Sequence, residues 1–428
     1  MATPTGPGRF TRFVRQAARE GRLVVQPRMG FGTVDQMRAG LDAVSKADAA
    51  TVGTITVDSY TRVNDHASAL LALEKGADLN GFPLVAHGAA VTRRLLAGIA
   101  GDGFPVQVRH GSALPGELFA GLVEAGVDAT EGGPVSYCLP YSRVPLAQAV
   151  AAWAECCEML AGISEPVHLE SFGGCMLGQL CPPSLLIALS ILEGLFFREH
   201  GLRDISVSYA QQTNQRQDIE AMAALRALAS DWLGDTDWHS VLYTYMGVYP
   251  RSRQGAYRLL AESARLAARS GTERLIVKTA VESSRIPSIV DNVDALEFAA
   301  SVAGEEMVAE PAGIPDSGIY EEAQAIITHT LTLGGDVGSA LIRAFALGHL
   351  DVPFCLHQDN ANRCRARIDG RGRLTWADPG GVPVPRARAT AGDRQRLTAR
   401  GLLDMLSYNE RRYDREEPAG PEAWRTGR

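Results

Sequence analysis

Several charged side chains follow short runs of β-branched residues, at points where parallel strands would present them together. Arg28, Arg62 and Arg109 follow three such runs, and Glu131 and Glu170 close two others. A guanidinium binds carboxylate or phosphate through two parallel hydrogen bonds. A single buried arginine is more often half of a structural ion pair, because an unpaired buried charge is unfavourable. Three arginines at one site instead predict a ligand with two acidic groups, such as a dicarboxylate, and Glu131 would meet an amine on that ligand.

Lys278 and Glu282, in the stretch IVKTAVESSRIP, form a second candidate pair. A lysine at this position of a barrel could be the Schiff-base lysine of a lyase or aldolase acting on a dicarboxylate. The four-residue spacing fits a simple salt bridge equally well, so that the residues alone leave both interpretations open. A third interpretation is a non-catalytic dicarboxylate-binding protein, which would need only the arginines and leaves Glu131, Lys278 and Glu282 unexplained.

These residues need a scaffold that brings strand ends together. Nine runs rich in β-branched residues alternate with Ala- and Leu-rich segments whose apolar residues have helical spacing. This alternation predicts an α/β fold with a parallel sheet, and eight strand–helix units would close it into a (β/α)8 barrel of the TIM type. One of the nine candidates is then a loop or an extra strand. The candidate strands cover residues 22–28, 52–60, 83–88, 105–111, 127–130, 166–173, 204–210, 240–246 and 274–280.

An open doubly wound sheet is the alternative arrangement of the same units. It has little support, because no G-x-G-x-x-G sequence follows the first candidate strand. In a barrel, the carboxyl ends of all strands meet at one mouth, where such folds place their chemistry. The prediction therefore puts the arginines and glutamates in that mouth, together with four further strand-end residues, His110, Tyr209, Tyr245 and Lys278.

The chain is predicted to consist of three parts. The barrel occupies residues 21–300, between a basic helix over residues 1–20 and a C-terminal extension over residues 301–428. Within the extension, residues 321–351 have the pattern of two helices, and residues 363–385 that of a hairpin that turns at DGRG. The last residues of the chain are expected to form a loose tail.

Composition excludes several function classes. Of the 428 residues, 46% are hydrophobic and 21% are charged, so that a large core is available. The formal net charge of −7 argues against a nucleic-acid binder, and no apolar run approaches the roughly 18 residues of a membrane span. Seven cysteines without a C-x-x-C pair fit no zinc site. They indicate reduced thiols in a cytoplasmic protein that itself ligates no metal.

Over roughly residues 20–360, the chain resembles the large, or epsilon, subunit of glutamate mutase, also called methylaspartate mutase. The resemblance implies a (β/α)8 barrel that works with adenosylcobalamin. It implies an isomerase that interconverts L-glutamate and (2S,3S)-3-methylaspartate by a radical rearrangement of the carbon skeleton. The stretches that carry the resemblance occur in the family's order: QPRMG, TVDSYTR, LNGFP, QVRHG, EGGPVSYCLPY, ESFG, YMGVYP, IVKTAVESSRIP and DVPF.

Carried over to this sequence, the resemblance implies a substrate pocket. Arg28, Arg62 and Arg109 would clamp the substrate carboxylates, with His110 beside the last of them. Glu131 would receive the substrate amino group, and Glu131, Arg28 and Arg109 would be the catalytic residues. Two tyrosines and one acidic residue would complete the pocket: Tyr137, Tyr141 and Glu170.

The resemblance also implies a cofactor site in the same mouth. Lys278 and Glu282 would hold the ribose of the adenosyl group. Two residues depart from the family's pattern, since Met29 replaces a small residue and Tyr249 replaces an aromatic residue without a hydroxyl. The positions that would line the cofactor are Gly30, Asn80, Pro140, Tyr249 and Ile286.

The corrin ring is expected to be held mainly by a partner subunit. The family's cobalamin-binding fold carries D-x-H-x-x-G, whose histidine binds cobalt from below. The nearest match in this chain, residues 237–242, has Leu242 where glycine is required. The resemblance therefore implies a separate small subunit that carries the motif and covers the barrel mouth. The hetero-oligomer would contain a dimer of barrel subunits, as in a heterotetramer.

Overall fold

The computed structural model describes residues 6–176, 180–306, 316–385 and 398–415 of the chain. Its centre is a sheet of eight strands. Nearly every strand residue is buried, because helices cover one face of the sheet and side chains fill the other. The strands are β1 (Val24–Pro27), β2 (Gly53–Thr56), β3 (Val106–Arg109), β4 (Ala129–Gly132), β5 (His168–Ser171), β6 (Asp204–Ala210), β7 (Asp237–Tyr243) and β8 (Arg274–Val277).

The strands follow one another in sequence order around a nearly closed ring. Each pairs in parallel with its neighbours from β2 through β8, and β8 pairs with β1. Between β1 and β2, a single parallel bridge joins Val25 to Thr51, and the N–H of Val25 donates to the carbonyl of Ala50 at 2.9 Å. The predicted (β/α)8 barrel is therefore confirmed, and the open doubly wound sheet is wrong.

Helices form the outer layer of the barrel. Several begin at a side-chain cap just after a strand-end loop: the side chains of Thr33, Asn214 and Ser252 each accept a backbone N–H of the first helical turn. Among the described helices, none has the length and apolarity needed to cross a lipid bilayer. The helices of the layer are α2 (Val34–Ser45), α3 (Ser59–Arg62), α4 (His66–Glu74), α5 (Leu84–His87), α6 (Ala89–Leu96), α7 (Gly116–Ala125), α8 (Leu146–Ala161), α9 (Pro183–Glu199), α10 (Gln215–Leu233), α11 (Arg253–Arg269) and α12 (Ile289–Glu306).

The amino-terminal helix, α1 (Arg9–Arg19), covers the amino ends of the strands. Phe10 stacks on His168, the first residue of β5, with ring centroids 5.0 Å apart. The hydroxyl of Thr11 donates to Asp204, the first residue of β6, at 2.5 Å. The predicted basic helix is thus present, and it seals the end of the barrel opposite the mouth.

Two strand predictions are wrong in part or entirely. Residues 83–88 contain the short helix α5, because Pro83 has no N–H to offer a sheet, and β2 pairs directly with β3. The candidate strand over residues 52–60 ends at Thr56. Asp58 then accepts the N–H groups of Tyr60 and Thr61 and starts α3, so that Arg62 lies on a helical turn beyond the strand.

The C-terminal extension contains the predicted helix pair and hairpin. Asp414 accepts the N–H of Ser252 at 3.0 Å and thereby joins the last described helix to the start of α11. The tail prediction is wrong for residues 413–415, which are helical, and residues 416–428 lie outside the described part. The elements are α13 (Ile319–Leu331), α14 (Val337–Leu347), β9 (Arg365–Ile368), β10 (Leu374–Asp378), α15 (Ala399–Leu406) and α16 (Tyr408–Arg415).

Candidate active site

The carboxylate of Glu131 is the centre of a polar cluster at the mouth. Arg109, the last residue of β3, donates from Nε to Glu131 Oε2 at 2.8 Å. Tyr137 donates its hydroxyl proton to Oε1 of Glu131, and Tyr243, the last residue of β7, lies 2.7 Å from Oε2. Each of these side chains is at most 5% exposed. Two other strands and the loop after β4 therefore aim a cation and two phenols at one buried anion.

The surroundings keep Glu131 ionised although it is buried. Burial alone would raise its pKa, but the charge of Arg109 and three hydrogen bonds outweigh burial and lower the pKa of Glu131. Burial disfavours the charged form of Arg109 as well, yet the Glu131 carboxylate raises the pKa of Arg109 above its ordinary value. Burial, and then the charge of Glu131, raise the pKa of Tyr137 and of Tyr243, so that both phenols keep their protons.

A second charged cluster lies between β1 and β8. Arg28, directly after β1, donates from Nη1 to Glu282 Oε1 at 2.9 Å, and Lys278, directly after β8, lies 3.5 Å from the same oxygen. The Lys278 ammonium is 4.8 Å from the ring centre of Tyr249. Burial lowers the pKa of Lys278 to about 8, against the opposing charge of Glu282. The pKa of Glu282 is lowered, because Lys278 and Arg28 outweigh the effect of burial.

Arg62 reaches the same mouth from α3. A β-carbon on Gly111 would lie 3.7 Å from Arg62 Cδ, so that the stem of this side chain runs over the loop after β3. Arg62 is exposed at the rim, and partial desolvation, together with the charges of Arg109 and Arg28, lowers its pKa. The three predicted arginines are therefore brought within electrostatic reach of one another.

His110 and Tyr141 form part of the wall around Tyr137. His110 stacks on Trp153, with ring centroids 5.8 Å apart, and meets the Tyr137 ring edge-on at 4.9 Å. Burial lowers the pKa of His110 to about 3, so that the imidazole is neutral at physiological pH. Tyr141 contacts the Tyr137 ring edge-on at 6.0 Å and is 41% exposed, which places it at the rim.

Glu170 lies below the mouth rather than on its wall. It is fully buried in β5, where it accepts a hydrogen bond from Arg274 Nη2 at 2.5 Å. Its other oxygen is 2.5 Å from the hydroxyl of Tyr243, which stands between Glu170 and Glu131. The structure thus connects Glu170 to the mouth through Tyr243.

One predicted strand-end residue faces away from the mouth. Tyr209 follows Ser206 by three residues on β6 and so faces the helices, where its hydroxyl donates to Asp218 at 2.8 Å. The prediction that Tyr209 lies in the mouth is therefore wrong. Tyr245, beyond the end of β7, packs in one apolar cluster with Tyr249, Ala256 and Leu259.

Two cavities meet at Glu282. The larger, of about 640 Å³, is lined in part by Tyr249 and Lys278. The smaller cavity, of about 340 Å³, is lined by Arg28 and Arg62 and by the predicted cofactor positions Gly30, Asn80 and Ile286.

Pro140, the remaining predicted cofactor position, is half-buried in the turn that precedes Tyr141. Among the described residues, no group of three or more His, Cys, Asp and Glu is placed to hold a metal ion.

Sequence reasoning missed Tyr243, Arg274 and Glu193, which all support the cluster. Glu193 accepts the N–H groups of Val135 and Ser136 at 3.1 and 2.8 Å, and so holds the turn that carries Tyr137. One signal was available: Glu193 is the single charge within residues 183–197 of an otherwise apolar helix. A buried charge of this kind usually has polar partners.

Fold and cluster together define a (β/α)8-barrel protein with a buried Arg–Glu–Tyr site at the carboxyl ends of its strands, where enzymes of this fold carry their active sites. Its sequence matches the family model described as Methylaspartate mutase E chain (MutE) over residues 6–411. The chain belongs to this family, and the resemblance drawn from the sequence motifs is confirmed.

Curated relatives are similar over most of their length. The Glutamate mutase epsilon subunit of Escherichia coli O157:H7 is 30% identical over 401 residues, which cover 88% of this chain and 82% of the relative. The subunit of the same name from Desulfitobacterium hafniense is 30% identical over 413 residues, covering 92% and 84%. That of Haloarcula marismortui is 32% identical over 349 residues, covering 77% and 70%. These relatives bear the name of an isomerase, which makes this an isomerase family.

Proposed function

We propose that the chain is the substrate-binding subunit of a two-subunit mutase that rearranges L-glutamate to (2S,3S)-3-methylaspartate with adenosylcobalamin. One observation carries the proposal: Arg28, Arg62 and Arg109 converge with the ionised carboxylate of Glu131 in one barrel mouth. Membership of the methylaspartate mutase family supplies the class of reaction.

The charges of the mouth support a dicarboxylate substrate. Four cationic side chains, those of the three arginines and Lys278, face the carboxylates of Glu131 and Glu282. Arg109 and Lys278 are buried, whereas Arg28 is half-buried and Arg62 is exposed, and the excess of positive charge attracts an anionic ligand. Arg28 Nε is buried without a hydrogen-bond partner among the described residues. Two carboxylates on one ligand would supply both the charge and the acceptors, and separate clamps would hold both halves of the substrate during rearrangement.

Glu131 is suited to receive the substrate amine. It is ionised, buried, and fixed in orientation by Arg109, Tyr137 and Tyr243. A carboxylate beside an ammonium can hold it as an ion pair and accept one of its protons. Exclusion of water from the pocket would strengthen both interactions and protect reactive species.

The second cluster fits the nucleoside part of adenosylcobalamin. Lys278 and Glu282 together offer donors and acceptors for ribose hydroxyls, and Tyr249 Oη is buried without a partner among the described residues. A β-carbon on Gly30 would lie 2.4 Å from the carbonyl oxygen of Thr56, so that this edge of the smaller cavity admits only glycine. When bound, the cofactor supplies the radical that removes hydrogen from an unactivated carbon.

Binding of the corrin ring is assigned to a separate small subunit that carries the D-x-H-x-x-G motif. The nearest match in this chain uses His239, which is 1% exposed on β7 and stacks on His168 with ring centroids 4.8 Å apart. Both rings lie at the end of the barrel covered by α1, away from the mouth. Exposed apolar side chains at the mouth, Tyr141 and Ile286, would be covered by the partner.

The proposed assembly is a heterotetramer with two barrel subunits in a cytoplasmic setting. The cytoplasmic assignment is supported by the cysteines, because all seven are buried as free thiols. Reduced thiols are typical of that compartment.

The barrel lyase or aldolase remains a second candidate, because burial lowers the pKa of Lys278 to about 8 and so favours a nucleophilic amine. The experiment combines the chain with a cobalamin-binding small subunit, adenosylcobalamin and L-glutamate, and follows the products by NMR. Methylaspartate is expected. In parallel, borohydride is added to the chain with a keto diacid; covalent labelling at Lys278 without methylaspartate would instead establish the lyase. Ligand binding with neither reaction would establish a non-catalytic protein.

A further inference from the structure

One phenol hydroxyl joins two buried carboxylates that belong to different ion pairs. Tyr243 Oη lies 2.7 Å from Glu131 Oε2 and 2.5 Å from Glu170 Oε1. Glu131 is paired with Arg109 at 2.8 Å, and Glu170 is paired with Arg274 at 2.5 Å. The two carboxylates and the phenol are each at most 1% exposed. The three groups form a continuous chain from the mouth into the barrel interior.

These three groups can together bind one additional proton. A phenol carries one hydrogen, so that Tyr243 can donate to only one carboxylate at a time. Its other close contact then brings two oxygen lone pairs together, which is unfavourable in a buried site. If one carboxyl group is protonated, it donates to Tyr243 while Tyr243 donates to the other, and both contacts become hydrogen bonds. The geometry therefore favours uptake of a proton.

We infer that Tyr243 and Glu170 relay the proton that Glu131 accepts from the substrate amine, an inference that rests on the proposed function. An N–H bond of the substrate ammonium breaks, and the proton binds to Glu131. As this proton passes from Oε2 to the oxygen of Tyr243, the phenol proton passes to Glu170 Oε1. The net change is one proton moved from the substrate nitrogen to Glu170, without transfer of electrons. The reverse steps return the proton to the amine after rearrangement.

The proton would bind to Glu170 on the oxygen that faces Tyr243. Its Oε2 already accepts from Arg274 at 2.5 Å and from Gln107 at 3.3 Å, whereas Oε1 faces Tyr243. Full burial keeps the proton from exchanging with solvent. Moving it to Glu170 restores the Glu131 carboxylate and its ion pair with Arg109, at the expense of the ion pair between Glu170 and Arg274.

Tyr243→Phe removes the hydroxyl and keeps the ring. In the assembled mutase, kcat for L-glutamate should fall about tenfold or more, as for loss of a proton-transfer group, with KM within about threefold of wild type. Tyr209→Phe is the matched control, because it removes a buried phenol from the neighbouring strand that bonds to Asp218 outside the mouth. It should keep the wild-type values. If the wild-type assembly forms methylaspartate and Tyr243→Phe keeps the wild-type kcat, the relay is overturned and the proposed function stands.

Infrared difference spectra give a readout that does not depend on turnover. The chain alone, with saturating L-glutamate, should gain the C=O stretch of a protonated carboxyl group. Glutarate, which lacks the amine, should give no such band. In Glu170→Gln and in Tyr243→Phe the proton can reach only Glu131, so that the band should shift in frequency, whereas it should keep its wild-type position in Tyr209→Phe. A band at the wild-type frequency in Glu170→Gln, or the lack of any band with wild type, would overturn the relay, whereas absence of methylaspartate from the full assembly would refute the function itself.

Discussion

Replacing Arg109 by lysine keeps a positive charge at the centre of the mouth but removes the planar fork. Arg109 Nε holds Glu131 at 2.8 Å, and the guanidinium carbon lies 5.3 Å from the ring centre of Tyr243. We assign the two Nη groups of the same fork to a substrate carboxylate. A lysine ammonium is a point charge that cannot serve Glu131 and a bidentate carboxylate in the same geometry.

The expected loss follows from the bonds that lysine cannot make. A hydrogen bond to a charged group contributes about 1.5–3 kcal/mol. Loss of at least one such bond should weaken L-glutamate binding by about 2 kcal/mol or more, which is roughly thirtyfold in affinity. Because the introduced ammonium would also hold Glu131 less well, kcat should fall together with affinity.

Calorimetric titration with L-glutamate and steady-state kinetics of the assembled mutase measure this loss. Arg226→Lys is the matched control, since Arg226 on α10 pairs with Glu273 at 2.9 Å, away from the mouth. It should leave affinity and turnover unchanged. Wild-type affinity and turnover in Arg109→Lys would refute the carboxylate clamp.

Three further outcomes are expected. Glu131→Gln should lower kcat far more than it raises KM, whereas weaker binding with unchanged kcat would mean that Glu131 only anchors the amine. Gly30→Ala places a β-carbon 2.4 Å from the Thr56 carbonyl oxygen and should reduce the uptake of adenosylcobalamin in a spectrophotometric titration; unchanged uptake would remove this edge from the cofactor site. Burial raises the pKa of Glu193 from 4.5 to about 7. At pH values between these two pKa values, the unfolded chain binds fewer protons at this group than the folded chain does. The contribution of Glu193 to the free energy of unfolding therefore decreases as pH rises. Measured by denaturant unfolding, the free energy of unfolding should decrease less between pH 5 and pH 7 in Glu193→Gln than in wild type, and equal decreases would contradict the raised pKa.

The sequence was sufficient for the barrel because its main signal is local. β-Branched runs and helical spacing can be read over short windows, and their alternation restricts the topology to parallel sheets. The candidate strand over residues 83–88 failed because an apolar run does not distinguish a strand from a short buried helix. Pro83 was the available warning, since it cannot donate to a central ladder.

The site was less accessible to sequence reasoning because its partners are distant in the chain. Arg274 meets Glu170 across 104 positions, and Tyr243 meets Glu131 across 112, so that spacing carries no information about either contact. Tyr243 was overlooked because β7 ends there, two residues before Tyr245. Tyr209 was selected wrongly because one position along a strand reverses the face on which a side chain lies.

The path of the substrate carbon atoms tests the central claim most directly. L-Glutamate labelled with carbon-13 at its third carbon is incubated with the chain, the small subunit and adenosylcobalamin, and the products are followed by NMR. The label should appear in the methyl group of methylaspartate, because the carbon skeleton rearranges while both carboxylates are held. The chain without its partner should form no methylaspartate. Label that stays entirely in glutamate in the complete mixture, or full activity from the chain alone, would contradict the two-subunit mutase.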